Sequence, residues 1–228
     1  MDWNPVVTEL TTGATDAVLG LEALIGAALL LRARGTDRFK LRLWLGILAL
    51  LFVASALGAV AHGLDLGEGL RELLWQPLFL ALGLMLGLIA VAAVHDRWGP
   101  GASRRALPVA LVAALAFYGI TLLAGGAFLV FVAYEACAMG LALVVYLHLA
   151  RRGHPGSGLV TAGILVTLVA AIVQQTSWTV TLLWPFDHNG IFHLIQMPGL
   201  LLMVLGVRRS LRSDPRTDPT DSAGPTSS

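Results

Sequence analysis

Charged side chains are scarce in this chain. Asp, Glu, Lys and Arg make up 13% of its 228 residues, where a soluble domain carries about 25%. With 57% hydrophobic residues and a mean hydropathy of +0.78, that scarcity excludes an ordinary water-soluble globule. Cysteine is nearly absent. The single Cys137 excludes a disulfide framework and leaves no thiol pair from which to read a redox compartment. Ten-residue segments of alternating polarity, the mark of a transmembrane barrel, are missing. The glycines and prolines follow no collagen period and gather into no long linker. No basic run precedes the first apolar segment, which carries Asp16 and Glu22; it is therefore expected to be a helix rather than a cleavable signal peptide.

What the chain has in abundance is apolar runs of bilayer-spanning length. Seven are read, at about 11–31, 43–63, 73–94, 106–123, 127–149, 159–178 and 189–207. Their apolarity on all sides predicts helices. The expectation is an all-α polytopic membrane protein with one seven-helix transmembrane domain over 1–212. A polar, Pro/Ser-rich tail follows over 213–228, predicted to be disordered and cytoplasmic. Arginines and lysines set the orientation. Fourteen of the fifteen fall between spans one and two, three and four, five and six, or after span seven; only Arg71 lies on the other side. Such a bias requires an odd number of crossings. It predicts an N-terminus outside and a C-terminus in the cytoplasm, as in a multi-pass protein of a bacterial inner membrane.

Orientation assigns each polar residue a depth, and polar groups within a bilayer mark function by default. Glu9 and Asp16 lie near the outer end of span one, seven apart on one face. Span two ends outward at His62, with Ser55 two turns deeper and Asp65 just beyond. Gln76 and Trp75 open span three. Gln174, Gln175 and Trp178 close span six. Asp187, His188 and Asn189 open span seven, with His193 and Gln196 further in. The pattern predicts a water-accessible cavity in the outer leaflet. Simpler roles compete with function at several positions. Asp187 would cap span seven, Ser55 would bond back to its own helix, and His62 and His188 would be interfacial. His95, His148 and His154 are expected to be loop or interfacial histidines. Glu22 and Glu135, nearer mid-membrane, would form a structural pair or mark a proton path.

Two or three histidines with carboxylates and an open position suit a catalytic zinc, which activates a bound water. His62 and His193 would be ligands, with His188 or Asp65 as a third. Ser55 and Asp16 would place water or substrate. Glu9, Gln76, Gln175, Trp178, Asn189 and Gln196 would line the substrate site. The substrate would be a lipid amide or ester arriving from the bilayer, with membrane lipid as the main partner. His188 and His193, five apart, cannot share a helical face and converge only if His188 precedes the first turn. Two alternatives stay open: a non-catalytic lipid- or ligand-binding protein, and a small heme or ion-handling protein with His62 and His193 as axial ligands. A transporter is less favoured, and nucleic acid is not an expected partner, since topology and anionic lipid account for the arginines.

These residues resemble the superfamily of seven-helix membrane hydrolases that includes alkaline ceramidases and adiponectin-receptor-like proteins, the nearest likeness being to bacterial members. The stretch ASALGAVAHG (54–63) is similar to the second-span motif, with His62 as the matching histidine. DHNGIFHLIQ (187–196) is similar to the seventh-span motif, with His193 as its second histidine. TELTTGATD (8–16) is faintly like the ceramidase first span, with Glu9 as the matching acid. The resemblance implies seven helices, a zinc ion and amide hydrolysis. Gly58 stands where the family has a serine, Asn189 where it has the first seventh-span histidine, and no aspartate opens span three.

Overall fold

The computed structural model describes residues 2–33, 37–126 and 128–213. The expected disordered tail and the first residue of the fifth expected span fall on 214–228 and 127, outside the described residues, as does Arg34. Six helices form: α1 Val7–Leu31, α2 Arg38–Gly63, α3 Glu68–Leu123, α4 Phe128–Arg151, α5 Ser157–Gln174 and α6 His188–Arg212. Each is long and apolar enough to cross a membrane. A hairpin of two short strands, β1 Val180–Thr181 and β2 Pro185–Phe186, separates α5 from α6.

The 56 residues of α3 would measure roughly 84 Å as a straight rod, against about 30 Å of hydrocarbon. It does not run straight. Gly99 has φ 80° and ψ −175°, a backbone state reached essentially by glycine alone, and Pro100 follows it. The arms 68–98 and 100–123 fold back on each other. Phe117 lies 2.6 Å from where a Cβ on Gly83 would stand, Ala110 O lies 3.2 Å from that of Gly87, and His95 Nδ1 is 3.0 Å from Ser103 Oγ. The stretch read as spans three and four is therefore one antiparallel pair of arms.

Each helix packs on its neighbours in sequence, and α6 closes onto α1, so the helices form a ring. Small residues let the backbones approach. Gly156 meets the Gly206 carbonyl, and Gly163 would place a Cβ 2.5 Å from Gly199 O; this is how α5 and α6 come together. At the end bearing the hairpin, the N-terminal segment is tacked across the end of α2. Trp3 bridges Leu64, and Asn4 donates through its backbone to Gly63 O and through Nδ2 to His62 O, both at 3.0 Å.

The sixth expected span overran its helix. α5 stops at Gln174 and the chain turns away, because Thr176 Oγ1 donates to Val173 O at 2.7 Å and accepts from Trp178 N at 3.2 Å. A hydroxyl that bonds local backbone in this way competes with helix continuation. The uncharged, apolar hairpin that follows reads in sequence like more span.

The opposite, arginine-rich end is held by a buried polar network. Lys40 Nζ donates to Asp96 at 2.8 and 2.9 Å and to Ser210 Oγ at 2.7 Å, and Tyr146 OH donates to Asp96 at 3.0 Å. One ammonium thus joins α2, the first arm of α3, α4 and α6. Beside it His95 bridges Ser103 and, at 2.8 Å, Asp37 Oδ2. His95 is buried, not the interfacial residue expected. Burial alone would push the Asp37 carboxyl up. The Lys40 amide, the His95 ring and the Lys40 ammonium more than offset it and hold the group below its ordinary value. A polar cavity of about 410 Å³ lies against this network, lined by Lys40, His95, Asp96 and His154 among others.

Candidate functional site

The ring of helices encloses a second cavity of about 400 Å³, lined by side chains from all six helices. It is long and narrow. On α2 its wall runs from Trp44 to His62, roughly 27 Å at 1.5 Å per residue, close to the full hydrocarbon thickness. Its two ends differ in chemistry. Asp16, Ser55, His62, Gln174, His188, Asn189, His193 and Gln196 line the hairpin end. Trp44, Ile47, Ile89, Met139, Leu200 and Met203 line the other. The α2 wall follows helical spacing, with Trp44, Ile47, Leu51, Ser55, Gly58 and His62 three or four residues apart.

Asp16 and His193 form the centre of the polar end. Both are buried, and Asp16 Oδ1 lies 3.3 Å from His193 Nε2. The other ring nitrogen, Nδ1, is 2.9 Å from Thr15 Oγ1, and that hydroxyl donates to Thr12 O at 2.9 Å. A hydroxyl has one proton. Having given it to Thr12 O, Thr15 must accept from Nδ1–H. His193 therefore carries a proton on Nδ1 and turns Nε2 to Asp16. Nε2 and Oδ1 are thus in close polar contact inside the buried end of the cavity. Thr12 Oγ1 donates to Asp187 Oδ1 at 2.8 Å, and the same oxygen accepts from Gly190 N at 2.9 Å. Asp187 thus caps α6, as expected, and also fastens it to α1.

Gly58 explains how Asp16 fits. A Cβ on residue 58 would stand 2.6 Å from Asp16 Oδ2 and 2.8 Å from its Cγ. The carboxyl occupies the space that a side chain on α2 would fill. A turn further out, His62 Nδ1 is 2.6 Å from Glu9 Oε2. The ring stands edge-on to Trp75, with centroids 5.4 Å apart at 83°. Across the cavity, Gln174 Nε2 donates to Asn189 Oδ1 at 3.1 Å.

Of the residues singled out in sequence, Asp16, Ser55, His62, His188, Asn189, His193 and Gln196 line this one cavity, and Glu9 reaches it through His62. Four lie elsewhere. Asp65 is exposed beyond α2, its N–H donating to Asp2 O. Gln76 lines a separate recess beside the Gly125–Gly126 turn. Gln175 and Trp178 are exposed where the chain leaves α5. Glu135 lines the cavity, whereas Glu22 does not. No hydrogen bond joins those two among the described residues, so the expected structural pair does not form. Thr12 and Thr15 act in the site although sequence reasoning assigned them no role in it, and Gln174, read there only as part of the outer polar cluster, lines the cavity.

The donor set is two separate couples. His62 is engaged by Glu9, and His193 by both Thr15 and Asp16. Among the described residues, no group of three or more His, Cys, Asp or Glu side chains is placed to hold a metal ion. A catalytic zinc needs three protein ligands and an open position, and these residues do not fit one. Two residues on the cavity wall hold a polar atom without any hydrogen-bond partner, Gln196 Oε1 and Trp44 Nε1.

No curated protein and no solved structure matches the chain. A family model does, over residues 11–212, a stretch that runs from the first turns of α1 to the last residue of α6 and takes in the whole cavity wall. The chain belongs to that family, DUF6962, a family of unknown function.

Proposed function

We propose that this chain crosses the bilayer seven times, with its N-terminus and the β-hairpin on the non-cytoplasmic side, and that its central cavity binds one single-chain amphiphile. The amphiphile's head group lies against Asp16, His193 and His62, and its tail runs toward Trp44. The break at Gly99, which turns α3 into two arms, supports the odd number of crossings that the arginine distribution requires. The observation that carries the binding reading is the gradient of polarity along one narrow cavity. Ligand sites are mostly apolar with a few convergent polar groups, and here those groups sit at one end only.

Two experiments test this. In a Cys137→Ser background, Leu183→Cys in the hairpin is expected to react in intact cells with a membrane-impermeant thiol reagent, and Ser213→Cys is not; the reverse pattern overturns the orientation. Purified protein in nanodiscs is expected to bind a fluorescent single-chain amphiphile, and Leu51→Trp, which fills the cavity's waist, to weaken that binding. Equal binding by a folded Leu51→Trp variant overturns the amphiphile reading.

A hydrolytic use of the same end has one observation in its favour. A buried carboxyl 3.3 Å from an imidazole nitrogen, with the ring pinned by Thr15, is the arrangement of a general acid–base pair, and Ser55 lines the same cavity. The substrate would be a lipid amide or ester. Turnover of such a lipid by wild type but not by Asp16→Asn is expected on this reading; equal background rates remove it.

A further inference from the structure

Resting on the amphiphile reading just given, we infer that the head group the cavity accepts is a cation, a protonated long-chain amine. The carboxyls of Asp16 and Glu135 are both buried and both line the cavity. They belong to α1 and α4, which do not adjoin in the ring, so they approach from opposite sides. Asp16 lies nine residues into α1 and Glu135 seven into α4, roughly 14 and 11 Å from the hairpin ends of their helices. They therefore stand at nearly one depth.

Among the described residues, no lysine or arginine lines this cavity. His62 and His193 have acids of their own in Glu9 and Asp16. Glu135 accepts no hydrogen bond from the described residues. Gln196, 8% exposed, also lines the cavity, and its buried Oε1 has no donor. A buried acceptor without a donor is costly, and a buried acid needs a counter-charge or a proton. An alkylammonium supplies both at once, since its N–H groups are donors and its charge is positive. Trp75, Phe79 and Phe131 line the same stretch, and aromatic rings attract such a cation. A carboxylate or phosphate head would instead meet the unpaired carboxyl of Glu135.

Dodecylammonium, dodecanol and dodecanoate share a chain and differ in charge, so each is titrated against the fluorescent amphiphile bound to the full chain in zwitterionic nanodiscs. Dodecylammonium is expected to displace it at a concentration on the order of tenfold lower than dodecanol, the size of one desolvated charge contact. Dodecanoate is expected to be the weakest. Glu135→Gln should erase the preference for amine over alcohol, and Glu135→Asp should keep it. Equal displacement by amine and alcohol, or a preference that survives both Glu135→Gln and Glu135→Met, overturns the cation inference and leaves the amphiphile reading standing. Failure of all three probes, with no effect of Leu51→Trp on the reporter, overturns the amphiphile reading itself.

Discussion

Removing one charge of the Lys40–Asp96 pair should destabilise the protein far more than removing both. The ammonium and carboxylate are 5% and 6% exposed and 2.8 Å apart. At an effective dielectric of about 20 their attraction is roughly 6 kcal/mol before desolvation is subtracted. The remaining valences are also met, by Ser210 on the ammonium and Tyr146 on the carboxylate. Lys40→Met therefore leaves Asp96 buried with a phenol and no cation. Breaking one side of such a pair costs about 3–5 kcal/mol, whereas replacing both with apolar residues is close to neutral. Unfolding in mixed micelles of mild detergent and SDS, for wild type, Lys40→Met, Asp96→Leu and the double variant, closes a mutant cycle. A double variant more stable than either single one is the expected result. Single losses below about 1 kcal/mol, adding in the double variant, would refute the reasoning, because they would mean both charges are already hydrated.

Three further outcomes follow from local geometry. Gly58→Ala places its Cβ 2.6 Å from Asp16 Oδ2. It should cost on the order of 1–3 kcal/mol, and less than additively when combined with Asp16→Ala, as a micelle-unfolding cycle would read. Gly99→Ala meets no neighbour within 4 Å, so its cost is one of backbone alone. At φ 80° and ψ −175° that cost is about 1–3 kcal/mol; an unchanged unfolding midpoint contradicts it. Asp37 has its folded-state pKa below the unfolded one, so its contribution is complete above the unfolded value of about 3.9 and fades as pH falls through the folded value. Asp37→Asn keeps an acceptor for the Lys40 amide. Its thermal midpoint should lie below that of wild type near neutrality, the gap closing on acidification; a gap independent of pH counts against the assignment.

Apolar run length located the helices well, because a bilayer-length segment has few other uses. The division of α3 was legible as well, since the apolar runs 73–94 and 106–123 are separated by a stretch holding Arg97, Arg104 and Arg105. The hairpin was not. Val180, Leu182, Leu183 and Trp184 have the composition of a span, and only hydrogen bonding by Thr176 sends the chain elsewhere. For the site, depth could be read but direction around each helix could not. Gln174 and Gln175 are adjacent, yet about 100° of rotation separates a cavity wall from an exposed surface, and Trp75 reaches the central cavity whereas Gln76 lines only the separate recess. Thr12 and Thr15 gave no signal because threonine is common in apolar helices. Lys40 read as a topological charge because nothing in a sequence shows that Asp96, 56 residues on, will reach it.

The closure of α6 onto α1 sets the order in which this protein is completed. Thr12 bonds to Asp187, and Thr15 to His193, 178 positions later in the chain. At synthesis rates of about 5–20 residues per second, α1 waits roughly ten to forty seconds for these partners. During that interval its hydroxyls and carboxyl face lipid or the insertion machinery. A nascent chain cut short before α6 keeps α1 to α5 but leaves Thr12, Thr15 and Asp16 without the partners that α6 supplies.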